Sequence, residues 1–66
     1  MVKNRLKEIR MKEYMIESKS EFARMLEIPI HTYIKWENEE SSPNLDLAFT
    51  IAKKLNRTIT DIWYQV

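Results

Sequence analysis

Few residues in this chain could do chemistry. Its single histidine, His31, is followed directly by Thr32 and four positions on by Lys35, a spacing that puts the three on one side of a helix. An imidazole, a hydroxyl and an ammonium together present hydrogen-bond donors and acceptors suited to base edges or phosphates. A protonated imidazole would hold such an acceptor more strongly. The same groups suit catalysis poorly. There is no cysteine, so no disulfide staples the fold and a thiolate metal site is excluded. With one histidine, zinc would rest mainly on carboxylates, and no His-Glu-x-x-His pattern occurs. Glycine is also absent, and loops that cradle nucleotide phosphates depend on it. Glu37, Glu39 and Glu40 form a compact acidic spot, but nothing beside them completes a hydrolytic pair. The expectation is a binding protein, not an enzyme, with no metal and no cofactor.

The elements that must position these residues are short. The 66 residues make one domain, which at this size buries roughly 60% of the surface of its unfolded chain. Efficient helix packing or a second subunit has to supply the remaining stability. No apolar run approaches the roughly 20 residues that span a bilayer, and no signal segment opens the chain. Met1 reads as the start of a soluble, cytoplasmic protein with no membrane partner. The net charge of +1 is uninformative, but its distribution is uneven: Lys3, Arg5, Lys7, Arg10 and Lys12 crowd the beginning.

Apolar spacing and caps predict five helices. The first runs from about Asn4 to Tyr14 on Leu6 and Ile9. The second follows Ser18-Lys19-Ser20-Glu21, a capping box, and turns Phe22, Ala23 and Leu26 inward. Pro29 opens the third, to Glu37, in which Tyr33 and Trp36 join Ile28 in the core. Asn44 caps a fourth from Leu45, carrying Ala48, Ile51, Ala52 and Leu55. Asn56 ends it in the left-handed conformation, and Thr58-x-x-Asp61 starts the fifth with Ile59 and Ile62. Trp63-Tyr64-Gln65-Val66 is aromatic and β-prone.

Two short helices, the first bearing the small Ala23, joined by a tight turn, have the form of a helix-turn-helix. Leu6-Lys7-Glu8-Ile9-Arg10, Ser20-Glu21-Phe22-Ala23-Arg24-Met25-Leu26, Ile34-Lys35-Trp36-Glu37-Asn38 and Leu47-Ala48-Phe49-Thr50-Ile51-Ala52-Lys53-Lys54-Leu55 resemble the Cro/C1-type, or Xre, family of phage and bacterial regulators over nearly the whole chain. The resemblance implies an all-α, compact five-helix lambda-repressor-like DNA-binding domain over residues 1–66, with room for a short terminal β-ribbon. It implies a transcriptional regulator, commonly a repressor, that binds a pseudo-palindromic double-stranded DNA operator as a homodimer, its third helix in the major groove. By position, Ile30, His31, Thr32 and Lys35 face bases, and Lys19 and Asn38 touch phosphate. Arg10 and Glu37 match a pair that links the first and third helices.

The chain departs from the family at several points. Glu27 and Glu39 stand where glycine is usual, and a left-handed Glu27 costs on the order of 1 kcal/mol. Two extra residues lie between Arg10 and Ala23, so the first helix is longer or its loop bulges. Glu39 and Glu40 replace residues that are often basic. The apolar end suggests that Ile62, Trp63 and Val66 form the dimer interface, with Val2 paired beside the tail. A protein-interaction module, antitoxin-like or adaptor, is the rival reading, in which Ile30 and Ile34 meet a protein partner.

Overall fold

A computed structural model describes residues 2–66, and Met1 lies outside the described residues. The described chain begins with a strand, β1 (Val2–Asn4), in which Val2 pairs beside the tail as expected and only Asn4 falls where sequence spacing places the start of a helix. Its partner is β2 (Trp63–Gln65), antiparallel, with Val2 opposite Gln65, Lys3 opposite Tyr64 and Asn4 opposite Trp63. Asn4 therefore pairs its backbone with a segment at the far end of the sequence, which no local signal announces. Its side chain still serves the helix, because Oδ1 accepts from the Leu6 amide at 3.1 Å. Arg5 completes the closure: its amide donates to the Ile62 carbonyl at 2.8 Å, and its guanidinium lies 4.2 Å from the centre of the Tyr64 ring.

Helix α1 (Leu6–Glu8) continues as a π-helical turn, Ile9–Glu13. The Tyr14 amide reaches back five residues to the Ile9 carbonyl, and the Ile16 amide reaches six, to Arg10. The extra length ahead of Ala23 is thus taken up by a widened turn and the loop behind it, not by a longer α-helix.

Helices α2 (Lys19–Met25), α3 (Ile30–Glu37), α4 (Leu45–Lys54) and α5 (Ile59–Ile62) follow. Asn44 accepts from the Leu47 amide at 2.8 Å, and Thr58 with Asp61 forms a complete capping box. At α2 the box is half made: Ser18 Oγ accepts from the Glu21 amide, but among the described residues no bond returns from the Glu21 carboxylate. Pro29 stands one position before α3 with an extended ψ of 139°, so the helix opens at Ile30.

The core gathers residues from every helix. Phe22 sits edge-on between Tyr14 and Tyr33, with both ring pairs 5.6 Å apart, an arrangement favoured by the ring quadrupoles. Ile51 and Leu55 fill it from α4, and Ile62 and Trp63 close its base. Those last two are 0% and 7% exposed, which corrects their assignment to a subunit contact. The β-ribbon folds them into their own protomer, leaving Val66 as the exposed member of that expected trio, beside an exposed Val2.

Helices α2, α3 and α4 end alike. A residue in the left-handed region, Glu27 (φ 61°), Glu39 (φ 62°) or Asn56 (φ 56°), lets two amides fold back onto the helix. For α3, Glu39 N–H donates to the Trp36 carbonyl and Glu40 N–H to that of Lys35, the Schellman pattern in which glycine is usual. In a chain without glycine this conformation is forced on side chains that resist it by about 1–2 kcal/mol each, and least on asparagine. Glycine itself loses more freedom on folding, worth about 0.5–1 kcal/mol. Glu39→Gly is therefore expected to raise stability by up to about 1 kcal/mol and Asn56→Gly to change it little. Urea denaturation of both variants checks this, and a Glu39→Gly midpoint at or below the parent's contradicts it.

Candidate nucleic-acid interface

Helix α3 owes its position to a buried charge network. Arg10 is 2% exposed, and its guanidinium must find protein partners because water does not reach it. Nε donates to Glu37 Oε2 at 2.8 Å and Nη2 to Oε1 at 3.4 Å, joining the π turn to the end of α3. Nη1 donates to the Ile16 and Glu17 carbonyls at 2.9 and 2.6 Å, gathering in the loop that precedes α2. Tyr33 Oη donates to Glu37 Oε2 from one turn earlier on α3, and Lys19 Nζ lies 3.7 Å from Oε1. Sequence spacing marks Tyr33 as a core residue and misses its hydroxyl, although Tyr33 and Glu37 stand at helical i, i+4 spacing.

The protonation states follow. Burial by itself would raise the Glu37 carboxyl, but the bonds from Arg10 and Tyr33 outweigh it and hold the group below its ordinary range. Burial, then donation to Glu37, pushes the Tyr33 phenol well up. The hydrogen bond to Glu37, against the opposing effect of burial, raises Arg10.

With Tyr33 and Trp36 locked inward at 0% and 2% exposure, helical geometry directs positions 31, 32 and 35 outward. His31 and Lys35 are exposed and Thr32 half-exposed. Ile30 is shared: half-buried, it packs on the core and also lines a surface hollow between α2 and α3 with Ser20, Arg24 and Glu27. The near-complete burial of Ala23 at the floor of that hollow lets the two helices approach. The turn is clamped from α4, where Lys54 Nζ donates to the Leu26 carbonyl at 3.1 Å and stands 3.5 Å from Glu27. Asn4 Nδ2 similarly holds the Trp36 carbonyl at 2.7 Å. Neither clamp has a signal in local sequence.

The two expected phosphate-contacting side chains face acids of their own protomer. Lys19 leans on Glu37, and Asn38, at the end of α3, donates through Nδ2 to Glu40 at 3.3 Å. Arg24, which the sequence reading passes over, is exposed at the edge of the hollow, and among the described residues it forms no ion pair.

A capped helix, a clamped turn and a second helix with an outward polar face define a helix-turn-helix DNA-binding domain. A family model described as helix-turn-helix matches residues 6–62, and the chain belongs to that Cro/C1-type, Xre-like family of DNA-binding regulators. No curated protein and no solved structure gives a significant match. Among the described residues no helix is long and apolar enough to cross a membrane.

Removing the Glu37 charge leaves Arg10 buried without its counter-ion. Glu37→Gln is expected to lower stability at neutral pH by about 3 kcal/mol, the scale found when one side of a buried pair is lost. Because the folded carboxyl is held below its ordinary value of 4.5, its contribution is complete above that pH and is lost as pH falls through the lowered folded value. Denaturation midpoints of parent and variant should accordingly converge below about pH 4.5; a constant gap across that range would remove Glu37 from this role.

Proposed function

We propose that the protein is a sequence-specific regulator of transcription, a repressor, that binds a pseudo-palindromic duplex operator as a homodimer with α3 in the major groove. The observation carrying this reading is the division of α3: Tyr33 and Trp36 are sealed in the core while His31, Thr32 and Lys35 point outward. Such a division gives a groove a rigid reader whose side chains are not needed for folding. Ile30 adds an apolar contact at the start of the helix, suited to a thymine methyl. Lys19, Asn38 and Arg24 border this face as candidates for phosphate, the first two by exchanging an internal acid for the backbone. One module buries only about 600–1,000 Å² on DNA, too little for operator affinity, which is the reason for two copies about 34 Å apart along the duplex.

A protein partner is the second reading, and the acids supply its support. Glu40 on Asn38 and Glu37 on Lys19 reduce the positive potential expected of a surface that meets phosphate. Salt separates the two readings, because counterion release makes DNA affinity fall steeply as salt rises, whereas an apolar protein contact is insensitive to it.

Selection of bound sequences from random duplex DNA should return a palindromic site, and recovery of no common sequence would contradict the proposal. On that site Lys35→Ala is expected to reduce discrimination at one symmetric pair of positions by about 1–3 kcal/mol, with parental circular dichroism and a modest loss on random DNA. Lys19→Ala should instead weaken all sequences alike and flatten the salt slope by about 1 per subunit. A Lys35→Ala protein that binds every sequence as the parent does would transfer this face to the protein-partner reading.

A further inference from the structure

Helix α4 turns Ala48, Ile51 and Ala52 to the core and leaves Leu45, Asp46, Phe49, Thr50 and Lys53 exposed. Leu45 and Phe49, one turn apart, are 68% and 60% exposed. The ridge they form lies between two shallow hollows that share Ile59. One of these, reaching Val2, Pro43 and Trp63, has no charged side chain in its lining. Contiguous apolar surface of this kind marks an interaction site.

The charges around the ridge indicate what covers it. Asp46 stands in the first turn of α4 and Lys53 in the last. Among the described residues neither forms an ion pair. Their neighbours are engaged: Arg57 pairs with Glu13, Asp61 accepts from the Thr58 amide, and Lys54 holds Leu26 and Glu27. Asp46 precedes Phe49 by three residues and Lys53 follows Thr50 by three, so the acid and the base are placed symmetrically about the Phe49–Thr50 step. Rotating a second copy by a half-turn about that midpoint brings each Asp46 against the other copy's Lys53 and sets the Phe49 rings together. Self-complementarity of this sort is what a two-fold contact between identical subunits demands.

We propose that α4 forms the dimer contact, packed antiparallel on α4 of a second copy, with Phe49 at the centre, a reciprocal Asp46 to Lys53 pair on either side of it and Leu45 at the rim. It deepens the homodimer reading above and rests on it. None of His31, Thr32 and Lys35 belongs to this surface, so the contact does not use the outward side chains of α3.

Sedimentation equilibrium of the full chain without DNA tests the arrangement. Asp46→Lys and Lys53→Asp each set like charges opposite one another at both ends, and each variant alone is expected to self-associate about tenfold more weakly, or worse. An equimolar mixture should recover the parental dimer mass, because each variant supplies the charge that the other lacks. Phe49→Asp should be monomeric throughout. Circular dichroism establishes that the variants are helical. If a charge reversal unfolds the chain, Asp46→Asn with Lys53→Gln replaces it, and that dimer should be weaker and insensitive to salt. A parent that stays monomeric, a Phe49→Asp protein that dimerises as the parent does, or a mixture no heavier than its components would overturn the proposal. Lys35→Ala should leave the dimer mass unchanged, and a parent that dimerises yet selects no common DNA sequence counts against the DNA reading alone.

Discussion

A guanidinium cannot shed its charge, so burying Arg10 obliges the protein to surround it with acceptors. Two segments answer. The carboxylate of Glu37 comes from the last turn of α3, and the carbonyls of Ile16 and Glu17 come from the loop before α2. Because Arg10 itself lies in the π turn, one side chain fixes the relation between the start of the chain, the entry to α2 and the end of α3. The outward face of α3 is consequently set by an interaction on the opposite side of the helix. Lys19 and Tyr33 converge on the same carboxylate, so a phosphate that drew Lys19 away would leave Glu37 with two strong partners still in place.

The helix ends complete this framework. Glu27, Glu39 and Asn56 each turn the chain in a conformation that glycine reaches more easily, and each returns two amides to the helix behind it. The strain is distributed over sites secured elsewhere: Glu27 by Lys54, and the end of α3 by Asn4 on the Trp36 carbonyl. Rigidity at the turn between α2 and α3 therefore comes from cross-links between helices, with α4 and β1 acting as braces for a motif to which neither belongs.

Much of this was legible in residue order because it is local. The caps at Asn44 and Thr58, the left-handed turn at Asn56 and the inward placement of Tyr33 and Trp36 depend on residues within a few positions of each other. What escaped the sequence depends on distance along the chain. Asn4 reads as helical until a strand some sixty residues away captures its backbone. Ile62 and Trp63 read as a free apolar end until that ribbon folds them inward. At the candidate site the outward positions of α3 follow from helical period, whereas the acids facing Lys19 and Asn38 arise from competition among side chains, to which periodicity is blind.

The β-ribbon has a topological consequence. Val2 lies opposite Gln65, so the backbone runs out and back to one place, nearly a closed ring. Any segment preceding Val2 and any following Gln65 would leave the domain from the same spot, next to each other and tethered to the base of the core. A bridge of a few residues there would join the two ends, and the chain could then be opened in another exposed loop, such as the one between α3 and α4, with the order of contacts in space unchanged. Arg10, Glu37 and the reading face of α3 would keep their places in such a permuted molecule, since their relation is fixed by side chains and not by where the chain begins.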